Sequence, residues 1–109
     1  MTQWEIWTWD FPGARGAHPA VIISSPARVA NTNEVNVLLC STQRAARNPK
    51  TYEVLLDAAD GLNWETLCRC DLLFLAEKSD LRNQRGLVTR ERRRQMVTRI
   101  INSMTWDSL

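Results

Sequence analysis

Near the start of the chain, large apolar side chains recur at every second residue. In the segment WEIWTWDF, one side is formed by Trp7, Trp9 and Phe11, and the other by Trp4, Ile6 and Thr8. A repeat of two residues is typical of a β-strand, whereas a helix repeats after about 3.6 residues. The segment therefore predicts a first strand, and we expect at least one of Trp7 and Trp9 to be buried.

Four further apolar runs have the length and β-branched content of strands. They span residues 20–24, 35–40, 52–56 and 66–75. Pro19 precedes the first of them, and a polar break at residues 31–33 follows it. The last run carries apolar side chains on both sides, which predicts a central strand covered by the core on one face and by a partner subunit on the other.

One helix is predicted, from Arg90 to about Met104, with Thr89 as its N-cap residue. Its apolar residues recur at steps of three and four, which predicts one buried stripe; they are Met96, Val97, Ile100, Ile101 and Met104. The arginines on the opposite surface either bind a ligand or stay solvated. The pattern predicts a small, mainly β barrel of about five strands, closed by this C-terminal helix.

The size and charge of the chain narrow the possible functions. A chain of 109 residues, 44% of them apolar, fits a single domain over residues 1–109. The formal net charge of +2 does not by itself imply nucleic-acid binding. However, eight of the fourteen lysines and arginines lie between Lys78 and Arg99, so the basic character is local.

The cysteines indicate a reducing compartment. Cys40, Cys68 and Cys70 cannot all pair within one chain, and the spacing of the last two lacks the second thiol pair of a typical zinc site. The chain shows no signal peptide and no apolar run long enough to span a membrane. We expect a cytoplasmic protein without a metal site.

The loop between the first two strands concentrates groups that suit a phosphate. It contains two glycines, Arg15 and the only histidine, His18. Histidine is the side chain best suited to exchange protons near neutral pH. This composition predicts a nucleic-acid site.

The order of motifs along the chain resembles the MazF/PemK family of toxin endoribonucleases. The motifs are a strand ending in WTWDF, a Gly-rich loop, a basic residue before Pro19, the AVIIS strand, the CSTQ strand end, a Cys-Asp strand, a segment from KSDL to RGLV, and a terminal helix. The resemblance covers nearly the whole chain. It implies an SH3-like barrel of about five to seven strands, like those of the CcdB and MazF toxins.

The resemblance also implies a function. Members of this family are toxins of type II toxin-antitoxin systems that cleave single-stranded RNA without a metal or other cofactor. It further implies a homodimer, a cognate antitoxin as partner, and DNA contact only through the antitoxin complex.

The family's site residues map onto this chain one by one. The catalytic arginine precedes the proline that opens the second strand, and that position is His18 here. The catalytic threonine falls on Ser41, with Thr42 beside it and Gln43 matching the next position. Cys70 and Asp71 stand where many members have Asp-Gln.

The chemistry of metal-free RNA cleavage assigns roles to these residues. His18 is predicted to be the general acid/base, with Arg15 and the Ser41 or Thr42 hydroxyl stabilising the transition state. The remaining predicted RNA contacts are Arg44, Arg47, Gln43 and Trp9. Two alternatives stay open for the polar residues, since His18 could be a packing residue and the hydroxyls could satisfy backbone groups.

A non-enzymatic function is the main alternative. Because His18 replaces the family's arginine, the barrel could act as an inhibitor of an intracellular protein, as the related CcdB toxins do, or as an antitoxin-bound co-repressor of DNA. A generic RNA-binding barrel is a third possibility.

Overall fold

The fold is one antiparallel sheet with a helix on one face. A computed structural model describes residues 1–43, 47–105 and 107. Within them the strands are β1 (Glu5–Trp9), β2 (His18–Ile22), β3 (Glu34–Thr42), β4 (Glu53–Leu56), β5 (Thr66–Glu77) and β6 (Arg82–Leu87). The helices are α1 (Pro26–Asn31) and α2 (Arg90–Ser103), with 3₁₀ turns at Ala58–Asp60 and Lys78–Asp80. The strand order across the sheet is β4-β5-β3-β2-β1-β6.

The predicted mainly β barrel with a C-terminal helix is confirmed. All five predicted strands form, although β2 begins two residues earlier, at His18, and ends at Ile22. The sixth strand, β6, was missed because its sequence RNQRGL carries no apolar alternation. It forms because its backbone pairs with β1 at the sheet edge, where charged side chains are tolerated.

Helix α1 was also missed, although it has local start signals. The hydroxyl of Ser25 accepts a hydrogen bond from the backbone N–H of Arg28, and Pro26 opens the helix. With six residues, the helix is too short to show a hydrophobic repeat. Only Val29 is buried, and it packs into the core.

The alternation along the strands divides the core into two clusters. The first contains Ile6, Leu38, Cys40, Cys68, Cys70 and Met96, and it lies on the face covered by α2. The second contains Trp9, Phe11, Ala20, Ile22, Val35 and Val37. The expectation that one of Trp7 and Trp9 is buried is confirmed, because Trp9 is only 8% exposed.

The buried stripe predicted for α2 is wrong for most of its members. Met96 is fully buried and Ile100 packs partly on the core. By contrast, Val97, Ile101 and Met104 are exposed, and Ile101 is 65% exposed. The helix contacts β4 and β5 along one narrow line, so the rest of its apolar side is open in the single chain.

Strand β5 also carries apolar side chains that the chain leaves uncovered. Leu72, Leu73 and Leu75 are exposed. They lie where β5 bends away from a regular register, since Leu73 pairs with Leu38 whereas Cys68 pairs with Cys40. The predicted cover by a partner subunit stays a prediction, since these side chains are exposed in the single chain.

Candidate active site

The antiparallel strands bring the predicted histidine and hydroxyl residues to the same end of the sheet. Strands β2 and β3 are antiparallel neighbours, with Ala20 opposite Leu39 and Ile22 opposite Val37. His18 lies two residues before Ala20 on β2, and Ser41 lies two residues beyond Leu39 on β3, so both residues are found at the same end of these neighbouring strands. The structure thus brings the two predicted residues to one end of the β2–β3 pair.

Neighbouring strands extend this position into a row across the sheet. Trp9 pairs with His18 on one side, and Ser41 pairs with Leu67 on the other. Leu67 in turn pairs with Leu55 of β4. The row lies on the face opposite α2, because Cys40 and Cys68, adjacent to it in sequence, point into the core beneath the helix.

The loop before β2 holds the His18 ring in a defined orientation. Gly13 and Gly16 have positive φ angles of 76° and 77°, a conformation that glycine adopts without steric cost. Arg15, which lies between them, is exposed, and its carbonyl oxygen is 3.1 Å from Nε2 of His18. A carbonyl only accepts, so Nε2 carries the proton in this contact. Nδ1 makes no hydrogen bond to the described residues.

The two hydroxyls of the β3 end are available for a ligand. Ser41 is half-buried and Thr42 is exposed. Within the described residues, neither hydroxyl makes a hydrogen bond to the protein, so they do not serve as backbone partners. Gln43 differs, because its side-chain Nε2 donates to the carbonyl of Ser41 at 3.0 Å and its backbone N–H donates to Glu65.

Arg47 is engaged by a carboxylate. Its two Nη atoms donate to Glu53 at 2.7 and 2.8 Å, and Glu53 also accepts from the backbone N–H of Lys50. Hydrogen bonding from Arg47 lowers the pKa of Glu53 to about 2. The predicted phosphate contact by Arg47 would require it to leave this pair. Arg44, the other predicted loop contact, lies outside the described residues.

Trp9 is placed as a core residue and offers no ring face to a base. Its ring packs edge to face on Phe11 at 4.7 Å and on Phe74 at 6.3 Å between centroids. Trp64, in contrast, is 68% exposed. It directly precedes Glu65, whose carbonyl binds the backbone of Gln43. The sequence analysis missed this exposed aromatic residue at the same end of the sheet, although its polar neighbours Asn63 and Glu65 indicated exposure.

A concavity continues the row beyond Leu55. It has a volume of about 370 Å³ and is lined by Arg47, Asn48, Pro49, Leu55 and Glu65. This end of the sheet thus combines the imidazole of His18, two hydroxyls, the exposed Arg15 and a concavity near the exposed ring of Trp64. Such a set suits recognition and cleavage of a phosphodiester in a single strand.

Comparison with known proteins identifies the family. The family model of PemK-like, MazF-like toxins of type II toxin-antitoxin systems matches residues 2–104. The chain belongs to this family. No curated protein matches it.

Solved MazF-type structures share the fold of this PemK/MazF-like chain. An endoribonuclease in complex with its cognate antitoxin from a mycobacterial species is 21% identical, with a TM-score of 0.81 over 97% of this chain and 98% of that chain. The Mycobacterium tuberculosis toxin MazF-mt6 is 23% identical, with a TM-score of 0.77 over 94% and 99%. A chain of the MazE-MazF crystal structure from Deinococcus radiodurans is 18% identical, with a TM-score of 0.71 over 96% of this chain and 97% of that chain.

The cysteines of this PemK/MazF-like chain lie inside the fold. Cys40, Cys68 and Cys70 are free thiols buried in the core. Neither helix in the described part of the chain has the length and apolar content that a membrane crossing requires.

Proposed function

We propose that this toxin-family member is an endoribonuclease that cleaves single-stranded RNA without a metal ion. The ribose 2′-hydroxyl attacks the adjacent phosphorus, the bond to the 5′ oxygen breaks, and a 2′,3′-cyclic phosphate remains. The observation that carries the proposal is that His18 and Ser41 lie at the same end of the neighbouring strands β2 and β3, in a chain whose family model describes MazF-like toxins.

His18 is the proposed proton carrier. With Nε2–H held by the Arg15 carbonyl, Nδ1 takes the proton of the 2′-hydroxyl and returns a proton to the leaving 5′ oxygen. Arg15 and the hydroxyls of Ser41 and Thr42 stabilise the additional negative charge on the phosphate oxygens. This assignment gives the histidine at the family's arginine position a direct chemical role.

A cleavage assay tests these roles. Wild-type protein incubated with a long unstructured RNA in excess chelator should give defined cuts with cyclic phosphate ends. His18→Ala should lower the rate by about 100-fold or more, since general acid/base catalysis contributes that much. Arg15→Ala and Ser41→Ala should lower it by about tenfold or more.

Arg28→Ala is the matched control, because Arg28 is an exposed arginine on α1, which lies at the opposite end of β2 and β3 from His18 and Ser41. It should cleave like the wild type. Undiminished cleavage by His18→Ala would refute the histidine assignment, and intact RNA with the wild type would refute the enzyme.

Trp64 is the proposed stacking platform for an unpaired base. Replacement of an exposed ring should weaken RNA binding and leave the reacting groups in place. For Trp64→Ala we therefore expect a several-fold higher KM with kcat unchanged. An unchanged KM would exclude this role.

A non-enzymatic toxin is the second candidate, favoured by the replacement of the family's arginine with His18. This candidate predicts intact RNA together with retained antitoxin binding. A cognate antitoxin is proposed as partner in either case, and its acidic segment would cover the basic loops around the site.

A homodimer is proposed on the basis of the exposed apolar side chains of β5 and α2. Leu73, Leu75, Val97, Ile101 and Met104 are exposed in the single chain, on two elements that contact each other. Large exposed apolar areas of this kind mark interaction surfaces. A second copy of the chain would cover them.

A further inference from the structure

A second concavity lies on the face of the sheet that α2 covers. It has a volume of about 240 Å³, and it is lined by Thr51, Tyr52, Arg99, Asn102 and Ser103. The hydroxyl of Ser103 also approaches the carbonyl of Cys70, a residue of the core beneath α2. His18 and Ser41 point to the opposite face, so this concavity is separate from the proposed catalytic row.

The described residues of the lining offer hydrogen-bond donors, and none of them carries a carboxylate. The Thr51 and Tyr52 hydroxyls and the Asn102 amide make no side-chain hydrogen bonds within the described residues. Ser103 contributes only lone pairs, because its proton is donated to the carbonyl of Ile100 at 2.8 Å. A donor-rich concavity without an acid favours an anion.

Arg99 supplies the charge and is incompletely satisfied. Its Nε atom is buried and has no hydrogen-bond partner in the described chain. Buried guanidinium nitrogens are normally paired, so an unpartnered one points to a missing acceptor. The charge of Arg99 also reaches the neighbouring Cys70 thiol, whose pKa is lowered first by a hydrogen bond with Cys68 and then by Arg99, against the opposing effects of burial and of Asp71.

Further cations lie around Tyr52. The guanidinium of Arg69 is 5.1 Å from the centre of the tyrosine ring, and the ammonium of Lys50 is 6.0 Å from it. Arg69 is paired with Asp71, whereas Lys50 has no ion pair within the described residues. The last turn of α2 carries a partial negative charge that opposes an anion, but the full positive charge of Arg99 in the lining is larger than this partial charge.

We propose that this concavity, defined by Thr51, Tyr52, Arg99 and Asn102, binds a phosphate group. The donors outnumber the two oxygens of a carboxylate and suit the three or four oxygens of a phosphate. The phosphate is either a free anion or part of an RNA strand that extends beyond the catalytic row.

An NMR titration with inorganic phosphate at constant ionic strength tests the proposal without requiring cleavage. Chemical shift changes should saturate and concentrate at residues 51–52 and 99–103. Arg99→Gln should weaken binding about tenfold or more, because it removes charge-assisted hydrogen bonds. Arg94→Gln, an exposed arginine on the same helix, should leave the affinity within about twofold.

Asn102→Ala provides a second variant, because Asn102 is exposed and its replacement does not disturb the core. It should weaken phosphate binding several-fold. Unchanged affinity in both Arg99→Gln and Asn102→Ala, or shift changes scattered over the surface, would overturn the proposal. Tighter binding of an aspartate-rich peptide than of phosphate at the same residues would also overturn it.

A 2′-O-methyl oligoribonucleotide, which cannot undergo 2′-hydroxyl attack, distinguishes the two sources. If Arg99→Gln weakens its binding as well, the phosphate belongs to an RNA strand. If only inorganic phosphate is affected, the site takes a free anion. A loss of RNA cleavage in the His18 variant leaves both results unchanged, so this site and the proposed enzyme can fail independently.

Discussion

At the scale of residues, pairing with carboxylates separates the arginines of this protein into two groups. Arg47, Arg69, Arg82 and Arg92 form ion pairs with acidic side chains. Arg15 forms none within the described residues, and the buried Nε of Arg99 has no partner there. A paired arginine must lose its carboxylate before it can bind a phosphate. The unpaired arginines are therefore the better candidates for ligand contacts.

The pair of Arg47 and Glu53 predicts a loss of stability in acid. Its bond to Arg47 holds the folded-state pKa of Glu53 at about 2, below the ordinary value of 4.5. The carboxylate thus contributes stability above pH 4.5, and this contribution is lost as the pH falls toward about 2. We expect Glu53→Gln to lower the free energy of unfolding at pH 7 and to flatten its decline between these two pH values.

Urea denaturation at pH 7, 4 and 3 measures this effect. Glu34→Gln serves as the control, because Glu34 is exposed and forms no ion pair within the described residues. It should follow the wild-type pH dependence. An equal decline in Glu53→Gln and wild type would contradict the assignment.

At the scale of elements, the start of α2 is fastened to the 3₁₀ turn Ala58–Asp60. Arg92 donates to both carboxylate oxygens of Asp57 and to Asp60, whose side chain is fully buried. Asp60 also accepts from the backbone N–H of Thr89, the N-cap residue. The Thr89 hydroxyl makes no capping bond, so the aspartate supplies the cap from another element.

Loss of Arg92 should destabilise the fold strongly. Arg92→Met removes the charge but keeps an unbranched side chain, and it leaves the buried Asp60 carboxylate without its cation. Breaking a buried ion pair in this way costs about 3 kcal/mol or more. We expect a fall of that size in the free energy of unfolding, measured in urea at pH 7.

Arg94→Met is the control on the exposed side of α2, and its effect should stay below about 0.5 kcal/mol. If the two variants lose equal stability, the network does not fasten the helix.

Gly86 permits the close approach of β6 to the turn Ala58–Asp60, because a Cβ atom at this position would lie 1.9 Å from the carbonyl oxygen of Asp60.

At the scale of the whole molecule, the single chain leaves one side of its fold incomplete. The core fills both faces of the curled sheet, yet Leu75 is 53% exposed and the apolar side of α2 is largely open. Residues of this kind cost solvation free energy of about 25 cal/mol per Å² when they face water. Their concentration on β5 and α2 supports the proposed self-association.

A charge placed on α2 should separate the proposed dimer. We expect wild-type protein to have the mass of a dimer in light scattering after size-exclusion chromatography. Ile101→Glu should shift it to the mass of a monomer with an unchanged circular dichroism spectrum, because a buried unpaired carboxylate is strongly unfavourable. Ser79→Glu, which adds the same charge at an exposed turn, should remain a dimer. A dimeric Ile101→Glu variant would exclude α2 from the interface.

Local sequence patterns predicted most of the elements. The alternation in β1, the apolar runs of β2 to β5 and the start of α2 depend on neighbours within one segment, so they can be read along the chain. The order of motifs was sufficient to indicate the family. Strand β6 and helix α1 could not be found this way, because β6 forms through pairing with β1 and α1 is too short to show a period.

The sequence by itself determined the strand-rich barrel, the family, and which residue types stand at the family's catalytic positions. Only the tertiary structure decided that His18 and Ser41 lie at the same end of neighbouring strands, that Arg47 is paired with Glu53, and that Trp64 is exposed while Trp9 is buried. These properties depend on sheet register and on contacts between distant segments. Side-chain exposure and charge pairing follow from that packing, and no local pattern encodes them.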